Sequence, residues 1–114
     1  MANLPQKPVF KSRYDNFIGG KFVPPVKGEY FDNVSPIDGK VFTQAARSGK
    51  EDIDLALDAA HKAFATWSKT SPAYRSGVLN KIADVIEANL QTLAVIETID
   101  NGKPIRESVN VDLP

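Results

Sequence analysis

Apolar residues recur at helical intervals through the second half of the chain and in short strand-like runs through the first. Ile53, Leu57, Ala60, Phe64 and Trp67 fall on one face of a helix, and Ser48 with Glu51 three residues on has the spacing of a capping box at its start. Ser71-Pro72 opens a second helix, since a proline in the first turn gives up an N–H that no helical carbonyl would accept. Its buried stripe is Val78, Leu79, Ile82, Ile86 and Leu90, with Asn80, Lys81, Asp84 and Glu87 mostly on the wet side. A third helix is predicted from about Gln91 to Asp100, carrying Leu93, Ala94 and Ile99 inward. Gly102 can take the left-handed conformation that closes it, and Pro104 suits the first turn of a successor whose apolar stripe is Ile105, Val109 and Leu113.

The first third reads as a small β unit. Asn16-Phe17-Ile18 and Lys21-Phe22-Val23 flank Gly19-Gly20, a pair that favours a tight hairpin turn. A second pair of strands is predicted over Tyr30 to Val34 and Val41 to Ala46, joined through Ser35-Pro36-Ile37-Asp38-Gly39, where Pro36 presets the turn and Gly39 releases it. Ahead of them, Met1 to Tyr14 is a proline-bearing arm in which Lys7, Lys11 and Arg13 interleave with Phe10 and Tyr14; it is read as a solvated tail over a neighbour rather than a nucleic-acid arm. The organisation expected is an arm over residues 1–15, a β-hairpin unit over 16–47 and a helical part over 48–114, α+β in appearance.

Charge narrows the function. Fourteen basic residues balance fourteen acidic ones, so no net field draws the protein to nucleic acid or an anionic membrane, and neither is expected as a partner. No signal-peptide or membrane-spanning run occurs, which gives a cytoplasmic expectation. The chain has no cysteine, which excludes a thiolate nucleophile, a disulfide and a cysteine zinc site; His61, its one histidine, has no partner set. The acidic cluster Glu51, Asp52, Asp54 and Asp58 sits at a helix N-terminus, where the helix dipole favours negative charge without any catalytic role. Neither GxGxxG nor GxxxxGK[ST] occurs, so no phosphate cradle and no coenzyme-binding residue is expected. No catalytic residue is expected in these 114 residues either.

The FIGGKF hairpin, the SPIDG turn after a strand, the helix DIDLALDAAHKAFATW and the span KIADVIEANLQTLAVIETIDNGKP, in this order, resemble the N-terminal region of the aldehyde dehydrogenase superfamily. RYDNFIGG, SGKEDIDLALDAAH and DNGKPIRES look most like its bacterial branch acting on acetaldehyde and other short aliphatic aldehydes. The resemblance covers about Ser12 to Pro114 and implies an α/β coenzyme domain to which this portion supplies a β arm and outer helices. It implies NAD(P)-dependent oxidation in which a cysteine thiolate attacks the aldehyde, hydride passes to the nicotinamide, and a glutamate activates water to release the acid from a thioester. Those groups and the coenzyme-binding turn lie downstream in the family, so the resemblance implies an active homo-oligomeric parent and an inactive 114-residue portion.

Two family roles fall on residues present. Main-chain oxygens of Asn33 and Val34 and the carboxylate of Asp100 correspond to ligands of a structural sodium or potassium ion, and Val111 to a position lining the aldehyde tunnel. Hard cations take oxygen ligands, while a residue such as Asp100 before Gly102 also suits a structural turn. An autonomous interaction module, stable without further sequence and presenting helix faces to a partner, is the competing expectation. Under the family reading the 114 residues alone are expected to be marginal or partly molten, because the central sheet they cover is not among them.

Overall fold

The computed structural model describes residues 6–114. Five short strands precede the helices: β1 (Arg13–Tyr14), β2 (Asn16–Ile18), β3 (Lys21–Val23), β4 (Tyr30–Val34) and β5 (Val41–Ala46). The helices are α1 (Lys50–Trp67), α2 (Pro72–Ala88), α3 (Leu90–Asn101) and a single turn α4 (Ile105–Glu107), which runs into one π-helical turn at Ser108–Asp112.

β2 and β3 pair antiparallel, with Phe17 opposite Phe22. Both turn glycines have positive φ, 62° at Gly19 and 82° at Gly20, a conformation whose twist matches the flanking strands and which side chains with a Cβ resist. The second sheet has the order β1-β5-β4. β4 and β5 are antiparallel, and β1 adds to the far side of β5 in parallel, with Arg13 opposite Gln44 and Tyr14 opposite Ala45. The arm read as a solvated tail therefore ends in the sheet; its first five residues lie outside the described ones. Register shifts at Asn33 and Val34, which face Thr43 and Val41, so Phe42 is left over on β5 and its ring meets Phe10 edge-on, 4.9 Å between centroids.

α1 starts one residue later than the Ser48-Glu51 spacing predicts. Gly49 is the N-cap, and its amide is held by Asp52, three residues on, at 2.9 Å; Ser48 instead donates to Asn16 Oδ1 at 2.8 Å. Asp52 wins because its carboxylate also accepts the Val26 amide at 2.9 Å, which ties the loop after β3 to the helix start. α2 begins as expected, with Ser71 Oγ accepting the Tyr74 amide at 3.1 Å. α3 ends at Gly102, φ 78°, whose amide donates to the Thr98 carbonyl at 2.9 Å.

The apolar core is small: Ala94 and Ile99 of α3 are its buried hydrophobic residues among the described ones. The stripes expected inside α1 and α2 are not buried. Phe64 is 64% and Leu79 66% exposed, and α2 has no buried residue. Helical periodicity reports that a face is made to be covered, and here the covering layer is not supplied by these residues.

Candidate functional site

The strongest long-range polar junction joins the end of β4, the turn after it and the end of α3. Ser35, only 4% exposed, donates through Oγ to the Ile99 carbonyl at 2.6 Å and accepts the Ile37 amide at 3.3 Å. The turn closes on itself, with the Gly39 amide on the Ser35 carbonyl and the Ser35 amide on the Lys40 carbonyl, both at 2.9 Å. Pro36 lies so close to Gly102 that a Cβ there would meet its Cγ at 3.0 Å. The glycine thus serves two needs, a left-handed helix end and the close approach of the turn.

This packing brings together Asn33 and Asp100, two of the three residues expected to hold a cation, through the Asn33 side-chain amide and not its main-chain oxygen. Asn33 Nδ2 donates to Asp100 Oδ1 at 2.7 Å across 67 residues of sequence. The strand register slips between Asn33 and Val34, so the regular ladder is interrupted where their main-chain oxygens lie. The donor set, carboxylate and main-chain oxygen, is of the type a hard cation takes, but three oxygens are fewer than the roughly six such an ion takes. Among the described residues no cluster of three or more histidine, cysteine, aspartate or glutamate side chains could hold a metal ion. Val111 stands apart in the π-helical turn, 65% exposed.

That turn is itself anchored. Ser108 is fully buried and shares a hydrogen bond with Thr98 at 3.1 Å, and Lys103 Nζ donates to both carboxylate oxygens of Asp112 at 2.9 and 2.8 Å, which raises the lysine pKa. Beside the junction runs an open groove of about 480 Å³, edged by Lys7, Phe10, Ile37 and Lys40. Ser35 and Asp38 also line it, and His61 is exposed on α1.

The arrangement positions backbone and apolar surface. Sequence reasoning missed Asp52 as a cross-link, placing it among dipole-favoured acids; its buried setting beside Val26 has no local signature. Gly49 and Val26 amides, donating to the carboxylate, pull its pKa below the usual value against the opposing effect of burial. Ser35 and Ser108 were missed too, because a buried serine partnered far along the chain looks like any loop serine.

The Aldehyde dehydrogenase family model matches residues 22–114, which takes in the second hairpin strand, the turn junction and every helix. The chain belongs to the aldehyde dehydrogenase family. It is 68% identical over 105 residues to an aldehyde dehydrogenase of Deinococcus radiodurans, covering 92% of this chain and 20% of the relative. It is 64% identical over 105 residues to a long-chain-aldehyde dehydrogenase of an Acinetobacter species, covering 92% of this chain and 21% of that one. With acetaldehyde dehydrogenase 2 of Cupriavidus necator it shares 56% identity over 117 residues, covering all of this chain and 23% of the relative. Among solved structures, PnpE in complex with nicotinamide adenine dinucleotide superposes with a TM-score of 0.86 at 42% identity, over 89% of this chain and 21% of that one; PnpE has also been solved from a Pseudomonas species.

The aldehyde dehydrogenase chain described here thus spans about a fifth of the length of the curated relatives it matches. The α+β arrangement is a portion of the aldehyde dehydrogenase fold, and the family is one of oxidoreductases with NAD-bound structures among its members. No helix among the described residues is long and apolar enough to cross a membrane.

Proposed function

We propose that this chain is the scaffold portion of an enzyme that oxidises aliphatic aldehydes, short ones foremost, to carboxylic acids with NAD(P)+. The observation that carries the reading is the family match over residues 22–114, and the names of two relatives, one for acetaldehyde and one for long-chain aldehydes, support the aliphatic class. The nicotinamide coenzyme supplies the hydride acceptor when bound. These residues contribute support: the β unit of residues 16–47 and the helices of 48–114 flank the coenzyme domain, with residues 1–15 as an arm.

Asn33 and Val34, through main-chain oxygens, and Asp100, through its carboxylate, contribute part of a sodium or potassium site whose remaining ligands come from other residues. Val111 lines the aldehyde tunnel. The enzyme works as a cytoplasmic homo-oligomer. Its catalytic cysteine is necessarily outside these residues, since they contain none, and the 114 residues alone are inactive.

The test is coenzyme reduction by the full-length protein that carries this chain, across aldehydes from acetaldehyde to long-chain members, with NAD+ and NADP+ in parallel. Activity greatest with short aliphatic aldehydes is expected. A protein that reduces neither coenzyme with any aldehyde would overturn the assignment.

A further inference from the structure

Ser108–Asp112 is the one π-helical stretch among the described residues. Such wide turns are rare, and they occur mostly as single turns at functional sites. The local cause is a side chain. Asn110 Nδ2 donates to the Arg106 carbonyl at 2.8 Å, the acceptor that the Asn110 backbone amide would use in an α-helix.

Polar groups fasten this turn at both ends. At its start Ser108, with no exposed surface, shares a hydrogen bond with Thr98 of α3 at 3.1 Å. At its end Asp112 receives Lys103 Nζ on both carboxylate oxygens, at 2.9 and 2.8 Å, across nine residues of sequence. Lys103 is tied to α3 in turn: its amide donates to Asn101 Oδ1 at 2.8 Å, and Asn101 Nδ2 donates to Glu97 Oε1 at 2.7 Å. Of the three ion pairs among the described residues, Lys50–Asp54 joins residues four apart and Arg106–Glu107 joins neighbours. Lys103–Asp112 alone spans a whole turn, and its side chains are the least exposed of the three.

Val111 stands between the two anchors, beside Asp112. An aliphatic side chain makes no directional bond, so its place is set by the backbone that carries it. We propose that Lys103 is a positioning residue: by holding Asp112 it fixes where Val111 stands in the aldehyde tunnel, and so sets how aldehydes are discriminated by chain length. The inference rests on the tunnel role proposed above for Val111 and adds the group that keeps it in place. Without the Lys103 contact the turn stays held at Ser108 and loses its hold at Asp112, the end nearer Val111. A displacement of about 1 Å is enough to spoil the fit of a bound substrate.

The test uses the full-length protein that carries this chain, with kcat and KM measured for straight-chain aldehydes from acetaldehyde upward. Lys103→Met keeps an unbranched chain and removes the charge. It is expected to change the ratio of kcat/KM between long and short aldehydes by about tenfold, through KM, since fit over one methylene in an apolar pocket is worth about that much. Asp112→Asn, which keeps the size and one acceptor oxygen, moves the ratio the same way by less. Lys103→Arg, which can present two N–H groups to the carboxylate, restores it. In a Val111→Ala background Lys103→Met changes the ratio no further, as an effect passing through one side chain requires. Arg106→Ala, which breaks the neighbouring pair and no contact across the turn, leaves the ratio unchanged. An equal loss for every aldehyde, an unchanged ratio, or full additivity with Val111→Ala makes the pair a stability contact and overturns the inference while the oxidation stands. If Lys103→Met is not recovered folded, Asp112→Asn decides on the same criteria. A wild-type protein inactive on every aldehyde with either coenzyme overturns the proposed oxidation, and this selectivity with it.

Discussion

Asp52 cross-links more of the chain than any other single acid. Its carboxylate takes the Gly49 amide at its own helix start and the Val26 amide from the loop after β3, while being only 3% exposed. Asp52→Ala leaves both amides without their acceptor, and the expected outcome is a lower urea midpoint with loss of amide protection in the first turn of α1 and at Val26. The pH dependence has a definite sign. Because the folded state lowers the Asp52 pKa, its stabilisation is complete above the ordinary carboxylate value and is lost as pH falls through the depressed folded value. Asp52→Asn should therefore flatten the acid limb of a stability-against-pH curve; an unchanged limb would assign it to other carboxylates. Asp100 belongs to the same scale. In the full-length protein, Asp100→Asn is expected to weaken the dependence of activity on monovalent cations, and identical activity across a potassium series in wild type and variant would remove Asp100 from the site.

At the scale of elements, the decisive contact is between a turn and a helix end. Gly102 sits at φ 78° with Pro36 3.0 Å from the place a Cβ would occupy, so Gly102→Ala incurs both left-handed strain and a collision. The expected loss is about 1–2 kcal/mol from the backbone conformation, read as a shift in denaturation midpoint, with more if the proline cannot give way. Ser71→Ala removes only the hydroxyl that accepts the Tyr74 amide, at a cost of about 1 kcal/mol confined to the start of α2. Amide exchange distinguishes the two: Gly102→Ala should loosen β4, its turn and α3 together, whereas Ser71→Ala should leave that junction protected. The hairpin β2–β3 is a further separable element, joined to α1 through the Ser48–Asn16 hydrogen bond and through Val26 on Asp52.

For the whole molecule the balance is between a small core and a large surface. Ala94 and Ile99 are the buried hydrophobic residues among those described, while both long helices keep their stripes exposed. Apolar burial has to offset the backbone entropy of ordering, about 1–2 kcal/mol per residue, and so small a core offers little of it. The isolated chain is expected to show weak amide protection throughout α1 and α2, with the β4–β5–α3 junction the last to exchange. Uniformly slow exchange in both helices would contradict that picture and favour the self-contained interaction module.

Local order was legible in the residues: glycine pairs, a proline after serine, and helical periodicity placed the hairpins and the three long helices, since turn chemistry and amphipathicity act over a few positions. The family motifs, too, are properties of the linear sequence. What periodicity could not state is whether a face is covered, because the pattern for an occupied stripe and an awaiting one is the same; the burial expected of α1 and α2 failed for that reason. Nor could it choose Asp52 over Glu51 at the start of α1, or bring Ser35 to Ile99, Asn33 to Asp100 and Pro36 to Gly102, since those pairs are made by chain segments 64 to 67 residues apart. The sequence by itself determined the elements and the family; the tertiary structure decided which polar groups lock them together and which apolar residues stay exposed, because both depend on where distant segments meet.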